Sequence, residues 1–146
     1  MRNTKKILVG LKEVGHAGEL MHLACRLPAT KTAQITAIHV IELPEPTPLD
    51  AEVPEFEKIA SAVLQVATKV ARKHRRAIKT KILRAHSAVP ALVDEIQQGK
   101  FDLAVIGYHH GRTLGELLLG STSQYIARKA SCEMLVHIPK RASGRA

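Results

Sequence analysis

The sequence predicts an α/β fold, a three-layer sandwich in which a mostly parallel sheet has helices on both faces. Apolar runs alternate along the chain with stretches of helical periodicity, as they do where each strand is followed by a crossover helix. The first run, with Ile7, Leu8 and Val9, is continuously apolar, which is typical of a strand covered on both faces. The length of 146 residues suits one domain. We expect that domain over residues 1–140, with a disordered tail at 141–146.

The first half of the chain predicts two strands, two helices and a long loop. The strands are KKILVGL and AQITAIHVI, and HAGELMHLACRLP between them has leucines at helical spacing and a closing proline. The segment from Leu43 to Pro54 is rich in proline, which cannot pair within a sheet, and it predicts a loop. A second helix follows and ends in ARKHRR. Its inward face is expected to carry Phe56, Ile59, Ala60, Val63, Ala67 and Val70.

The second half continues the alternation. The third and fourth strands are AIKTKILRAH and FDLAVIG, and the short helix between them, VPALVDEIQQGK, has Gly99 at its C-terminal end. Residues from Ser121 to Ala130 predict a helix, and CEMLVHIP predicts the last strand.

The glycine-rich stretch GYHHGRTLGELLLGSTSQ follows the fourth strand, where sheets of this kind bind their ligands. Gly120 lets the backbone amides of Ser121, Thr122 and Ser123 face outward at a helix N-terminus, which is a natural anion site. Ser121 and Gln124 also have the spacing of a capping box, in which the helix satisfies its own amides. The two interpretations are compatible, because a helix start has more amides than one cap can occupy.

The chain resembles a universal stress protein domain almost from end to end. The segments that carry this resemblance are KKILVGLK, AIHVIE, FDLAVIGYHHG and ELLLGSTSQYIARKASCEMLVHIP. The resemblance implies a five-stranded sheet in the order 3-2-1-4-5 and dimerisation through the last strand. It also implies a nucleotide-binding signature of Gly, two residues, Gly, nine residues, Gly, then Ser or Thr. Placing that signature on Gly107, Gly120 and Ser121 preserves its spacing, but its middle glycine falls on His110, with Gly111 one place late.

A second departure from the family concerns the aspartate that receives hydrogen bonds from the nucleoside in ATP-binding members. Lys12 occupies that position, whereas Val40 keeps the valine that ends the second strand. An ammonium group donates hydrogen bonds and accepts none, so we expect weak discrimination for adenosine. The alternative interpretation of Lys12 is a solvated loop lysine. The expected nucleotide or anion site comprises Gly10, Lys12, Val40, Gly107, His110, Gly111, Arg112, Gly120, Ser121, Thr122 and Ser123.

The function that these features predict is that of a cytoplasmic universal stress-type protein of the stress response, acting by binding and not as an enzyme. The weakened site would take a small anion such as phosphate or sulfate, while ATP or another adenine nucleotide stays open as a ligand. The alternative is an ATP-binding member that hydrolyses ATP slowly, with Gly111 replacing the displaced glycine. No Ser–His–acid set, carboxylate pair or phosphate loop with its lysine is visible in the sequence. The sequence does not identify the client protein, the stress or the pathway.

The net charge of +9 raises nucleic acid as a partner. The stretch from Lys69 to Arg84 contains basic residues and no acidic one. The stretch from Ile41 to Glu57 contains acidic residues and no basic one. Such segregation also suits a partner surface or a second subunit. Lys79 and Lys81 would lie on an edge strand, where lysine prevents unwanted pairing. With two Phe and two Tyr in the chain, no aromatic platform for single strands is expected, and nucleic acid is the less favoured partner.

The last strand predicts a homodimer. It would form the opposite edge of the sheet, and MLVHI contains no charge, proline or glycine that would block pairing. The residues expected to pair across a two-fold axis are Met134, Leu135, Val136, His137 and Ile138.

No metal site is expected, because His109 and His110 are adjacent in a loop and have no cysteine or carboxylate at ligand spacing. His39 and His137 lie within strands and predict hydrogen-bonded core or interface residues. Cys25 lies in an apolar stretch, as does Cys132, and both predict reduced core residues of a cytoplasmic chain. No apolar run approaches the roughly 18 residues of a membrane span.

Overall fold

A single sheet of five parallel strands organises the chain, and its order is β3-β2-β1-β4-β5. The computed structural model describes residues 4–27, 31–107, 125, 128–129 and 132–138. The predicted tail at 141–146 lies outside these residues. In chain order the elements are β1 (Lys6–Gly10), α1 (Val14–Arg26), β2 (Gln34–Glu42), α2 (Pro54–Lys73), β3 (Ile78–Ala85), α3 (Ala88–Gly99), β4 (Leu103–Gly107) and β5 (Glu133–His137).

The predicted α/β class and strand order are confirmed, and every strand pair is parallel. β1 is the central strand, so that Leu8 pairs with Thr36 of β2 and with Ala104 of β4. Tyr125, Arg128 and Lys129 have helical backbone, in agreement with the predicted helix from Ser121 to Ala130. The rest of that helix lies outside the described residues.

Apolar side chains fill both faces of the sheet. Ile7 and Val9 point to the layer formed by α1 and α2, whereas Leu8 between them points to α3. All three side chains are fully buried. Burying a side chain of this size contributes roughly 1.5–3 kcal/mol, which explains why β1 is continuously apolar and does not alternate.

The α2 helix differs from the prediction at its start and on its inward face. Pro54, which was expected to close the loop, is the first helical residue, a position where its missing N–H costs nothing. Ile59 was expected inside and is 47% exposed. Ala60 and Val63 are fully buried. The helix ends at Lys73, before the ARKHRR stretch is complete.

Gly99 lies at the C-terminal end of α3, as predicted. Gly99 is the last helical residue, and the left-handed conformation belongs to Lys100, with φ 54° and ψ 46°. The glycine is needed for packing, because a Cβ there would lie 2.5 Å from Cε2 of Phe101. Lys6 secures the same turn, since its Nζ donates a hydrogen bond to the carbonyl oxygen of Gly99 at 2.5 Å and lies 4.9 Å from the Phe101 ring centroid.

Candidate functional site

The carboxyl ends of β1 and β4 lie side by side, at the point where the strand order β3-β2-β1-β4-β5 reverses. After β1 the chain continues into α1 on one face, whereas α3, which precedes β4, covers the other face. Parallel α/β proteins bind ligands at such a switch point, beyond the carboxyl ends of the strands. Gly10 and Gly107 end these two strands, and Val9 pairs with Val105, so both predicted glycines lie at the same edge.

The missing Cβ of each of these glycines faces protein atoms. A Cβ on Gly10 would lie 3.4 Å from Cγ2 of Ile106, on the α3 side. A Cβ on Gly107 would lie 3.7 Å from Cδ2 of Leu20 in α1. A Cβ at either position would make ordinary van der Waals contact, so packing among the described residues does not by itself require these glycines.

The loop between β1 and α1 is anchored to β2 through Leu11. This residue is 4% exposed, and its N–H donates a hydrogen bond to the carbonyl oxygen of Ile38 at 2.8 Å. Its own carbonyl oxygen accepts a hydrogen bond from Nδ1 of the buried His39 at 2.9 Å. The structure thus confirms His39 as a hydrogen-bonded core residue, and it identifies the loop backbone as the partner.

Lys12 follows this anchor and is exposed. The adjacent carboxylate, Glu13, is also exposed, and its Oε2 lies 4.0 Å from Nε2 of His16, one turn along α1. Glu13 precedes the helix without forming a side-chain cap.

Val40 brings the second strand to the same edge of the sheet. It is half-buried and pairs with Leu83, two residues after Ile38, which pairs with Gly10. Four predicted site residues, Gly10, Lys12, Val40 and Gly107, thus come from neighbouring strand ends. The other predicted site residues lie outside the described part of the chain: His110, Gly111, Arg112, Gly120, Ser121, Thr122 and Ser123.

Two polar side chains that the sequence did not identify organise the neighbouring strand ends. Glu42, the last residue of β2, accepts a hydrogen bond through Oε2 from the backbone N–H of Ala88 at 2.8 Å. The Glu42 carboxylate therefore accepts a hydrogen bond from one of the backbone N–H groups that have no partner within the helix at the start of α3. His86 contacts the carbonyl oxygen of Leu43 through Nδ1 at 2.9 Å. Neither partner is visible in sequence, because the residues of each pair are far apart in the chain.

The last strand has one edge paired with β4 and forms one end of the described sheet. Leu135 packs against the α1 side of the core and Met134 against the α3 side, and Ile138 after the strand is 50% exposed. Nε2 of His137 lies 2.8 Å from Oε1 of Glu19 on α1. His137 is thus hydrogen-bonded within the chain, as expected for a strand histidine.

Part of the segregated charge is neutralised inside the molecule. Arg84 donates from Nη2 to both carboxylate oxygens of Glu57, at 2.7 and 2.6 Å, and from Nη1 to the carbonyl oxygen of Ala51 at 3.0 Å. Nζ of Lys81 lies 2.8 Å from Oε2 of Glu95. The Arg84 fork thus ties the basic strand to the acidic loop and to the start of α2.

Cysteine and metal chemistry find little support in the described residues. Burial raises the pKa of the Cys25 thiol and that of the Cys132 thiol, which lowers the fraction of reactive thiolate. Across residues 4–27, 31–107 and 132–138 there is no group of three or more His, Cys, Asp or Glu side chains that could hold a metal ion.

No helix in the part of the chain that the structure describes is both long and apolar enough to cross a membrane.

Comparison with known proteins places this site in context. The sequence pattern of the universal stress protein family matches residues 3–137. Universal stress protein A homolog 2 from Coxiella burnetii is 32% identical over 142 residues, which covers 92% of this chain and 95% of that protein. Among solved structures, a universal stress protein in complex with cAMP has a TM-score of 0.71 at 21% identity and covers 92% of this chain and 97% of its own. The universal stress protein from Archaeoglobus fulgidus in complex with dAMP has a TM-score of 0.66 at 16% identity, with coverages of 93% and 98%.

Proposed function

The chain belongs to the universal stress protein family, and on this basis we propose that it acts by binding and not by catalysis, as a cytoplasmic protein of the stress response. The ligand site lies in the crevice beyond β1 and β4. Structural relatives have been solved with cAMP and dAMP, which supports an adenine nucleotide as one ligand class. The weakened form of the site favours a small anion such as phosphate or sulfate over a selectively held adenosine.

The observation that carries this proposal is the exposed Lys12 beside the crevice. The loop position is fixed by the hydrogen bonds of Leu11 with Ile38 and His39. The side chain that follows this anchor is therefore set at the mouth by the β2 backbone. A lysine there attracts phosphate oxygens but cannot accept hydrogen bonds from a nucleoside.

Reversal of this charge gives the sharpest test. We expect Lys12→Asp to raise the affinity for adenosine by about tenfold, because a carboxylate can accept the bonds that lysine cannot. The same change should lower the affinity for inorganic phosphate, since it replaces an attractive charge by a repulsive one. Isothermal titration calorimetry with adenosine, ATP and phosphate measures both effects.

The matched control is Lys31→Asp, which makes the same charge change at an exposed position before β2, at the opposite end of the sheet. It should leave all three affinities unchanged. Tight, adenine-selective binding by the unaltered chain would contradict the proposal and favour the ATP-binding alternative. A phosphate-release assay with ATP would then decide whether that ATP is hydrolysed.

We also propose that one domain spans residues 1–140 and that two copies pair through β5. The free edge of β5 in the described sheet and the exposed Ile138 support such pairing.

A further inference from the structure

Four residues of the basic segment, Lys69, Arg72, Thr80 and Ile82, line an open groove that contains no residue of the predicted nucleotide site. The groove runs along α2, from Val14 at the start of α1 to Thr80 and Ile82 of β3, and has a volume of about 680 Å³. We call it the α2–β3 groove, defined by Leu64, Gln65, Thr68, Lys69, Arg72 and Ile82. The side chain of Ile82 is 41% exposed, so an apolar surface remains uncovered between the helix and the strand.

The charge of this groove has one sign. Lys69 and Arg72 are both exposed, and none of the described residues that line the groove is acidic. The nearby basic residue Arg84 is bonded to Glu57, and Lys81 is bonded to Glu95. Two basic residues of the segment are thus already bonded to carboxylates, whereas the cations of the groove are exposed to solvent. A partner with carboxylates would complement Lys69 and Arg72, and its apolar side chains would cover Ile82.

The backbone of β3 adds a second recognition element. The carbonyl oxygen of Ala85 accepts a hydrogen bond from the N–H of Leu43, directly after β2, so the backbone of Ala85 faces β2. In a parallel ladder every second residue faces the same neighbour. The backbone groups of Thr80 and Ile82 consequently face away from β2, at the free edge of the described sheet. Their side chains line the α2–β3 groove.

The lysines on the other face of β3 disfavour pairing of this edge with the β3 strand of a second copy of the chain. Lys79 is exposed, and Lys81 extends toward Glu95 on α3. A second β3 strand would bring like charges together, which disfavours edge-to-edge pairing of two copies. An acidic strand would meet lysine on one face and Lys69 with Arg72 on the other.

From these observations we infer that the α2–β3 groove binds an extended acidic segment of another protein, which adds to the edge of β3 as a further strand. Apolar side chains of that segment cover Ile82 and Leu64, and its carboxylates contact Lys69 and Arg72. Main-chain hydrogen bonds to Thr80 and Ile82 supply affinity, and the alternating side chains supply specificity. Nucleic acid fits less well, because apolar side chains such as Leu64 and Ile82 line the groove and none of its lining residues in the described part of the chain is aromatic.

Selection from a random peptide library displayed on phage, with the full chain as bait, tests this inference. We expect the recovered peptides to be enriched in Asp and Glu alternating with apolar residues. The affinity of a recovered peptide, measured by fluorescence anisotropy, should fall at least about tenfold in Lys69→Glu with Arg72→Glu. Lys58→Glu reverses one charge at an exposed position of α2 outside the groove and is compared with each groove substitution made singly; it should leave the affinity unchanged.

A second variant isolates the backbone contribution. Thr80→Pro removes one outward N–H but keeps Ile82 and both cations, and an edge strand tolerates proline on its free side. We expect an affinity loss of about tenfold with an unchanged circular dichroism spectrum. The charge-reversal variant keeps the inference testable if Thr80→Pro fails to fold.

Three results would overturn the inference. The recovered peptides could lack acidic enrichment, or their binding could be insensitive to Lys69→Glu with Arg72→Glu. Duplex or single-stranded DNA could bind in the micromolar range and lose affinity in that variant, which would assign the groove to nucleic acid. Light scattering could show that the variant dissociates an oligomer, which would assign the groove to a second copy of the chain.

Discussion

At the scale of single residues, two glycines with contrasting surroundings give a direct test of packing. A Cβ at Gly99 would meet the Phe101 ring at 2.5 Å, whereas a Cβ at Gly15 would have nothing within 4 Å. We expect Gly99→Ala to lower the free energy of unfolding by about 1–2 kcal/mol, because the ring must move. Gly15→Ala should raise it by roughly 0.5 kcal/mol through helix propensity. Urea denaturation measures both, and a loss of stability in Gly15→Ala as large as in Gly99→Ala would contradict this account.

Single residues also show where sequence reasoning about the site stops. Its position after the first strand identified Gly10, and the likeness to the family identified Val40 and Gly107; the structure brings all three to neighbouring strand ends. The sequence did not show that the glycines at Gly10 and Gly107 face Ile106 and Leu20. That knowledge requires the side chains of other elements, which no local pattern contains.

At the scale of elements, Asp102 fastens the start of β1 to the start of β4. Its Oδ2 accepts hydrogen bonds from the backbone N–H groups of Lys5 and Lys6, at 2.7 and 2.8 Å. These two bonds hold the pKa of the carboxyl below its ordinary value of 3.8. A carboxyl with a lowered folded-state pKa stabilises the fold above its unfolded-state pKa, and this contribution is lost as the pH falls through the folded-state pKa.

We therefore expect Asp102→Asn to lower the melting temperature by about 3 °C at pH 7, since the acceptor loses its charge. The difference from the unaltered chain should begin to shrink as the pH falls below the unfolded-state pKa of the carboxyl, and it should be lost as the pH falls through the lower folded-state pKa. Thermal unfolding between pH 3 and pH 7 measures it. A difference that stays constant across this range would show that the charge of Asp102 has no part in the effect.

The ion pair between Arg84 and Glu57 leads to a second prediction about the contacts between elements. Glu57→Gln weakens the two charged hydrogen bonds that join β3 to α2, and both side chains are about one-third exposed. Because solvent screens them partly, we expect a loss of about 1 kcal/mol in the free energy of unfolding. Glu55→Gln removes a neighbouring charge from the same first turn of α2 and controls for the helix dipole. Equal losses in the two variants would mean that the fork adds nothing.

Element boundaries show why the sequence was a partial guide. The alternation of strands and helices was readable, because both faces of the sheet require apolar residues. The start of α2 at Pro54 and the left-handed Lys100 were missed. Proline is compatible with a loop and with the first turn of a helix, and a glycine suits both a turn and a tight contact. Tertiary packing decides between such pairs.

At the scale of the whole molecule, the strand order came from family likeness, and the structure confirms it. Periodicity alone predicts the strands but cannot rank their neighbours. The sequence shows that the charge is divided into an acidic and a basic block. It does not show which of these charged side chains pair with each other and which stay exposed. Arg84 bonds with Glu57 across the acidic and basic blocks, whereas Lys69 and Arg72 remain exposed in the α2–β3 groove. That division depends on which side chains the fold brings within reach.

The assembly prediction belongs to this scale. We expect light scattering at micromolar concentration to give twice the chain mass of 15.9 kDa. Ile138→Lys should shift the protein to a monomer, because it places a charge beside the free edge of β5. Leu49 is another exposed apolar residue and is far from Ile138 in the sequence. Leu49→Lys should therefore leave the dimer intact. A monomer in the unaltered chain would refute pairing through β5.

The central claim is that the family scaffold persists here while its hold on adenosine is weakened. Crystals soaked with ATP test this most directly, through the electron density beyond β1 and β4. We predict density for phosphate groups beside Lys12 and no ordered density for the adenosine. A fully ordered ATP molecule, with its adenine ring and ribose held in the crevice, would contradict the claim.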